Sequence, residues 1–255
     1  MSSINIIPIG SGSTGNCIYL EIGAYPLLID MGIGYRRVRD VLQKHGRDLS
    51  DVKAIFLTHG HYDHVKAAPA IANHSACNIY CDESAMYPIR KIDENRRIVH
   101  KINETAEILP GLIVSSFSVP HDYVRTCGYT FTCQGRKVSL VTDCGQMSED
   151  IISNLIGSDV VIIECNHDVE MLKKGPYPYL LQKRILSKFG HLSNDDCADT
   201  VLRLYQEGTK HFLLAHVSLI NNTFEIAYQT VKDRTEGCDL DLYVCKDEGD
   251  DLLTY

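Results

Sequence analysis

Short apolar runs alternate with polar, glycine-containing segments along the 255 residues of the chain. Runs of about four to eight apolar residues rich in branched side chains predict buried strands, and apolar residues three or four apart predict helices. The predicted strands are residues 4–9, 17–22, 26–29, 52–57, 78–81, 129–133, 137–142, 160–164, 211–215 and 240–245. The predicted helices are residues 35–44, 64–73, 149–156, 194–208 and 224–232, with Ser148 and Ser193 as N-caps of the third and fourth.

These strands and helices interleave throughout the sequence. No proline-rich or low-complexity linker divides the chain, and no repeat of 20–50 residues is visible. Sheets covered by helices are the simplest way to bury the apolar faces of such a pattern. We therefore expect one α/β domain that spans residues 1–255.

Composition narrows the class of protein. No run of about twenty apolar residues predicts a membrane span, and residues 1–5 lack the basic and apolar regions of a secretory signal. The ten cysteines are scattered among apolar neighbours without a C-x-x-C pair, which predicts buried reduced thiols. We expect a cytoplasmic protein. Its net charge of −8 argues mildly against generic nucleic-acid binding but leaves a local basic track possible.

The motif His59-Gly60-His61-Tyr62-Asp63-His64 follows the predicted strand 52–57. Alternation by two on an extended segment points His59 and His61 the same way, and Asp63 and His64 then turn into the next helix. Imidazole nitrogen and carboxylate oxygen together suit divalent metal ions. The alternative is a polar turn with solvated histidines, which three imidazoles and a carboxylate at this spacing disfavour.

Three later apolar strands also end in a residue that could bind metal. His121 follows Ser118-Val119-Pro120, Asp143 follows Leu140-Val141-Thr142, and His216 follows Leu213-Leu214-Ala215. Each is weak alone, because many strands end in polar residues. Their order after the histidine motif predicts that they complete a metal site.

In this order of motifs the chain resembles the metallo-β-lactamase-fold hydrolases over nearly its whole length. The resemblance implies an α/β fold, a four-layer αβ/βα sandwich, with a dinuclear site at one edge. It implies His59, His61 and His121 as ligands of one ion, Asp63, His64 and His216 as ligands of the other, and Asp143 as the bridging carboxylate. Asp30 matches an early strand-end aspartate that orients a ligand imidazole through its free N–H.

Four further segments resemble the YycJ/WalJ-type subfamily: 10–17, 164–168, 174–178 and 190–194. That subfamily is associated with nuclease activity, including 5′-exonuclease activity on DNA. Gly60 and Tyr62 stand where many relatives have Glu and Ser, so the rim that faces the substrate differs. A similar pair in the tRNA-processing relatives implies that His191, with Glu164, protonates the leaving group. Asp63 joins these two as a catalytic residue.

Two ions roughly 3.5–4 Å apart can hold and deprotonate a bridging water, and a phosphodiester suits the resulting hydroxide. Zinc is the expected metal, with manganese or iron as alternatives. Two segments favour a nucleic acid, DNA before RNA: the loop 10–16, which offers anion-binding groups, and the basic, tyrosine-containing stretch 171–191. Candidate phosphate-binding residues are Ser11, Ser13, Thr14, Asn16, His167, Lys173, Lys174 and Tyr177.

The metal motif alone does not choose the substrate. A small-molecule hydrolase, such as a thioesterase, a cyclic-nucleotide phosphodiesterase or a lactamase-like enzyme, is the alternative. A binding protein that keeps the fold is a third possibility, which the complete ligand set disfavours. The oligomeric state has no signal in the sequence.

Overall fold

Two mixed sheets form the framework of the computed structural model, which describes residues 3–255. Met1 and Ser2, used above to judge the absence of a signal sequence, lie outside the described residues. The strands are β1 (Ile4–Gly10), β2 (Cys17–Ile22), β3 (Tyr25–Ile29), β4 (Ala54–Phe56), β5 (Asn78–Cys81), β6 (Arg97–Val99), β7 (Thr105–Leu109), β8 (Leu112–Val119), β9 (Thr126–Cys133), β10 (Arg136–Val141), β11 (Val160–Glu164), β12 (His211–Ala215), β13 (Asp241–Val244) and β14 (Leu253–Thr254).

The strand order is β14-β1-β2-β3-β4-β5-β6 in the first sheet and β13-β12-β11-β10-β9-β8-β7 in the second. The helices are α1 (Tyr35–Lys44), α2 (Tyr62–Val65), α3 (Ala68–Ala72), α4 (Glu149–Leu155), α5 (Val169–Lys174), α6 (Tyr179–Ile185), α7 (Asn194–Gln206) and α8 (Phe224–Arg234). Strands β3 to β6 run parallel in one sheet and β10 to β13 run parallel in the other.

Three apolar clusters separate four layers. The central cluster joins the two sheets and contains, for example, Leu20 of β2 and Phe131 of β9. A second cluster packs α1 and α3 on the first sheet, and a third packs α4, α7 and α8 on the second sheet. The predicted αβ/βα sandwich is therefore confirmed, because each sheet buries one face against the other sheet and one against helices.

The predicted helix 64–73 is wrong as a single element. The structure has two short helices, α2 and α3, with Lys66 and Ala67 between them. Pro69 has no N–H to donate to the carbonyl of Val65, and its ring would clash there, so it opens a new helix instead. The prediction also missed β6, β7, β14, α5 and α6, and it recognised only the end of β8, before His121.

The predicted reduced thiols are found in the structure. All ten cysteines are free thiols, and only Cys238 is not fully buried. Among the described residues, no helix combines the length and the apolar character that crossing a bilayer requires.

Backbone contacts at Gly32 hold the metal motif against the first sheet. The Gly32 N–H donates to the carbonyl of Asn16, and the Asn16 N–H donates to the carbonyl of Asp63. The Met31 N–H donates to the carbonyl of His64 at 2.7 Å. A Cβ at position 32 would overlap the Asp63 carbonyl. Only glycine therefore lets these three segments approach so closely.

We expect Gly32→Ala to lower the free energy of unfolding by about 3 kcal/mol, because a backbone carbonyl must shift to admit the methyl group. Gly34→Ala is the control, since nothing lies within 4 Å of a Cβ at that position. Urea unfolding of both variants measures the difference. Equal stabilities would contradict the account of this contact.

Candidate metal centre

The candidate ligands come from the carboxyl ends of strands in both sheets. Asp30 follows β3 and the histidine motif follows β4, while Asp143 follows β10 and His216 follows β12. Each pair of strands is parallel or joined through a parallel neighbour, so their carboxyl ends meet at one edge. His121 comes from the loop after β8. The structure thus gathers residues up to 186 positions apart (Asp30 to His216) at one edge of the sandwich.

His59, His61 and His121 form the first group of potential ligand atoms, which all lie within 4.8 Å of one another. Nε2 of His59 is 2.9 Å from Nδ1 of His61, so these nitrogens face the same point. Nδ1 of His121 lies 3.2 Å from the carbonyl oxygen of Gly190. If Nδ1 carries the proton in that contact, Nε2 of His121 keeps a free lone pair for the other two histidines.

Asp63, His64 and His216 form the second group. Oδ2 of Asp63 is 3.6 Å from Nε2 of His64 and 4.0 Å from Nε2 of His216. Asp143 lies between the two groups: its Oδ2 is 3.4 Å from His64, and its Oδ1 is 3.7 Å from both His121 and His216. One carboxylate therefore faces both triads.

Buried carboxylates behind the imidazoles fix their orientation. Nδ1 of His64 is 2.8 Å from Oδ2 of Asp30. Oε1 of Glu164 is 2.7 Å from Nδ1 of His216 and 2.8 Å from Nδ1 of His191. In each pair the Nδ1–H donates to the carboxylate, which turns Nε2 of His64 and His216 towards Asp143.

Opposite charges at close range dominate the electrostatics. Burial alone would raise the pKa of Asp143, but the charges of His216 and His64 hold it well below its usual value. Burial likewise raises the pKa of Glu164, and the charge and hydrogen bond of His191 more than reverse this effect. The pKa values of His64 and His216 are raised, because nearby carboxylates outweigh their burial. The edge therefore concentrates ionised carboxylates that attract cations.

Two buried atoms at the centre fit a metal ion. Oδ2 of Asp143 and Nε2 of His216 have no hydrogen-bond partner among the described residues. Buried polar atoms without partners are uncommon in folded proteins. A carboxylate oxygen and imidazole nitrogens are also the atoms that borderline divalent ions prefer. The residues present therefore suit divalent metal ions.

Backbone strain is concentrated at the same edge. Asp30, Asp143 and His216 adopt left-handed backbone conformations, with φ of 61°, 56° and 56°. Non-glycine residues rarely adopt positive φ, and such strain persists where the surroundings fix the residue. In each case a strand ends abruptly at a residue whose side chain enters the site.

The loop 10–16 reaches the site through two of its four predicted phosphate-binding residues. Ser11 accepts a hydrogen bond from the backbone N–H of His216 at 2.8 Å. Asn16 places Nδ2 3.0 Å from Nε2 of His64. Thr14 instead contacts Asp247, and Ser13 is exposed. The predicted anion-binding role of this loop is untested, and its buried members also brace the histidines.

The other predicted phosphate-binding residues lie in different surroundings. Lys173 and Lys174 are exposed and both pair with Glu170, at 3.5 and 3.2 Å. Tyr177 is partly buried, and its carbonyl accepts from Gln182. His167 is buried, neither ring nitrogen has a partner among the described residues, and burial lowers its pKa to about 4. Among the described residues, no hydrogen bond or ion pair joins these four side chains to the triads, so their role stays a prediction.

Sequence reasoning missed three side chains at this edge. The Thr58 hydroxyl lies 3.0 Å from both Oδ2 of Asp30 and Nδ1 of His59. Asp122 places Oδ1 3.2 Å from Nε2 of His121, and its Oδ2 is 2.8 Å from Arg184. Thr58 and Asp122 are each next to a predicted ligand in the sequence, and this adjacency could have indicated them. The approach of Arg184 depends on tertiary packing.

Comparison with known proteins agrees with this geometry. Residues 25–217 match the family described as the Beta-lactamase superfamily domain. The chain belongs to the metallo-β-lactamase-fold superfamily. Exodeoxyribonuclease WalJ of Streptococcus pneumoniae is 32% identical over 238 residues, which cover 91% of this chain and 88% of the relative. Exodeoxyribonuclease YycJ of Bacillus anthracis is 33% identical over 232 residues, covering 89% and 88%.

A solved structure supports the fold independently. The metallo-β-lactamase fold protein YhfI from Bacillus subtilis superimposes with a TM-score of 0.75 at 15% identity, covering 99% of this chain and 100% of that one. The resemblance drawn from the sequence is therefore confirmed. As a member of this superfamily with a His/Asp cluster, the chain is a metal-dependent hydrolase that uses divalent ions.

Asp30→Asn should weaken binding of divalent metal about 10–100-fold, because an amide NH₂ would face Nδ1–H of His64 and release the ring. Competition with a chromophoric chelator measures the affinity. Asp51→Asn, which removes an exposed carboxylate before β4, at the opposite end of that strand from the histidine motif, serves as the control. Unchanged metal affinity in folded Asp30→Asn would refute the orienting role of Asp30.

Proposed function

We propose that this chain is a dinuclear metal-dependent phosphodiesterase that cleaves DNA as a 5′-exonuclease. The observation that carries the proposal is the placement of Asp143 between two triads, with the His191–Glu164 pair beside it. The names of the two relatives, both exodeoxyribonucleases, support DNA as the substrate. We expect zinc as the metal. We also expect one domain and a cytoplasmic location, where the DNA substrate would be found.

In this proposal His59, His61 and His121 would hold one ion, and Asp63, His64 and His216 would hold the other. Asp143, which faces both triads, would contribute to both. Two such ions lower the pKa of water and neutralise a phosphate's charge. The carboxylates of Asp30 and Glu164 accept the Nδ1–H of His64 and His216, so Nε2 of each ring is the atom that would meet an ion.

His191 supplies the leaving group's proton. Its Nδ1 is held by Glu164 at 2.8 Å, which leaves Nε2 as the atom that meets substrate. The ring is partly exposed, whereas Glu164 is fully buried. A histidine fixed by a buried carboxylate is a suitable general acid, because one ring nitrogen is held and the other is directed towards the substrate. Nδ1 of His191 lies 3.9 Å from Oδ1 of Asp143, so the acid adjoins the proposed reaction centre.

Wild-type protein with Mn²⁺ or Zn²⁺ should shorten 5′-labelled DNA from its 5′ end, and chelator should abolish the reaction. Asp143→Asn should reduce cleavage by at least about a thousandfold while the protein stays folded, because neither triad keeps its shared carboxylate. Asp40→Asn, on the exposed face of α1, is the matched control. Strand products resolved on a gel also report polarity and the preference for DNA or RNA.

Full activity of Asp143→Asn or of chelated protein would overturn the metal mechanism. Metal-loaded wild type that cuts no polymer but hydrolyses small esters would instead support the small-molecule alternative.

His191→Ala should slow DNA cleavage about 10²–10⁴-fold. It should slow hydrolysis of bis(p-nitrophenyl) phosphate much less, because p-nitrophenolate leaves without a proton. Comparing the two substrates under the same metal conditions tests the assignment. Equal losses on both would show that His191 acts on site structure and not on the leaving group.

A further inference from the structure

A groove of about 620 Å³ opens beside His121 and carries side chains that the proposed reaction does not use. Its exposed lining includes Val124, Arg125, Lys188 and Phe189. The volume is within the range of sites for small organic groups, about 300–1,000 Å³. Since His121 belongs to the first triad, the groove opens directly beside the metal centre.

The Lys188–Phe189 segment is fixed to the site by its backbone. A Cβ at Gly145 would overlap the backbone of Lys188 and Gly190, so the segment lies directly against the loop that follows Asp143. The carbonyl of Gly190 lies 3.2 Å from Nδ1 of His121. Lys188 and Gly190, on either side of Phe189, therefore both contact residues next to the metal centre. Phe189 is held close to that centre.

The groove's chemistry suits a nucleotide. Phe189 is 47% exposed and Val124 is 85% exposed, so two exposed apolar side chains line the same groove. Nζ of Lys188 lies 4.9 Å from the centre of the Phe189 ring. An aromatic face beside a flexible cation is the combination by which proteins hold single strands, stacking the base and neutralising the phosphate.

A second groove nearby lacks this character. It measures about 590 Å³, shares Gln146 and Lys188 with the first, and contains none of the seven candidate ligands. Three carboxylates, of Glu149, Asp196 and Asp199, line it against two cations, Lys188 and Arg203, so its lining favours a phosphate chain less. In the first groove the lining cations Lys188 and Arg125 outnumber its one carboxylate, Asp150.

We propose that the groove beside His121 binds the nucleotide adjoining the scissile phosphate, with its base stacked on Phe189 and its phosphate near Lys188. This inference rests on the proposed nuclease function and adds a base-binding subsite to it. Phe189 would contact the face of the base and not its edges. The subsite would therefore favour nucleotides over phosphodiesters that lack a base, without selecting a sequence.

The chain supplies a matched control for this pair. Nζ of Lys232 lies 5.4 Å from the centre of the Tyr228 ring on α8, and neither residue lines the groove. Phe189→Ala should raise KM for a DNA oligonucleotide about tenfold, as expected for loss of one stacked base. Tyr228→Ala should change it less than about twofold. Both variants should bind divalent metal with the wild-type affinity.

Two further arms isolate stacking. Phe189→Tyr should restore the wild-type KM, whereas Phe189→Leu, which keeps apolar bulk, should not. An oligonucleotide with abasic residues flanking the cut should bind wild type and Phe189→Ala equally weakly, because the base is then absent from both complexes. Lys188→Ala should make the plot of log binding constant against log salt concentration less steep, by the amount expected for about one phosphate contact.

Equal KM values for Phe189→Ala and Tyr228→Ala, with a wild type that cuts DNA, would overturn the subsite alone. A loss of metal affinity in Phe189→Ala would also overturn it, since that loss reports distortion of the metal centre. Wild type that hydrolyses the small diester but no oligonucleotide would overturn the nuclease function, and the subsite with it.

Discussion

The organisation of this protein depends on keeping ionised carboxylates buried beside imidazoles at one edge of the sandwich. Asp143 and Glu164 are almost entirely buried, which would be costly for charged groups without compensation. Glu164 is compensated by His191, His216 and two backbone N–H groups, from Cys144 and Leu192. Asp143 keeps an oxygen without a hydrogen-bond partner among the described residues. A cation at that oxygen supplies the missing compensation.

The paired sheets explain how such an edge is built. Each sheet changes from antiparallel to parallel pairing, and the parallel halves direct their carboxyl ends to the same place. Strand ends then present Asp30, Asp143 and His216 in strained left-handed conformations. The strain is sustained by the surrounding packing, including the glycine contact that joins residue 32 to the metal motif. Rigid strands therefore hold the ligands, and loops supply the substrate-facing rim.

Much of this framework is predictable from local pattern. Strands 17–22, 78–81, 160–164 and 211–215 and helix 35–44 have the predicted bounds, because each is a strong apolar run or an amphipathic segment. The four-layer arrangement could be predicted only through the resemblance that the histidine motif carries. The strands β6 and β7 escaped prediction because charged and polar side chains interrupt them at the edges of the sheets. Short helices such as α5 and α6 carry too little periodicity to be recognised.

The site, too, contains residues that the sequence predicts and residues that it does not. Sequence spacing indicated the residues that the structure gathers into two triads around Asp143. It could not indicate that Arg184 would meet Asp122, or that Phe189 would lie beside His121, since these contacts join distant segments through tertiary packing. For Lys173 and Lys174 the basic composition was visible, but their pairing with Glu170 places them in an exposed helical ion pair of small energetic value.

Seven side chains are proposed to form a single site for two ions. Metal content measured together with anomalous diffraction from crystals of the metal-loaded protein tests it most directly. Two ions per chain are predicted, one among His59, His61 and His121, one among Asp63, His64 and His216, with Asp143 contacting both. A single ion, or ions bound elsewhere with Asp143 free of metal, would contradict it.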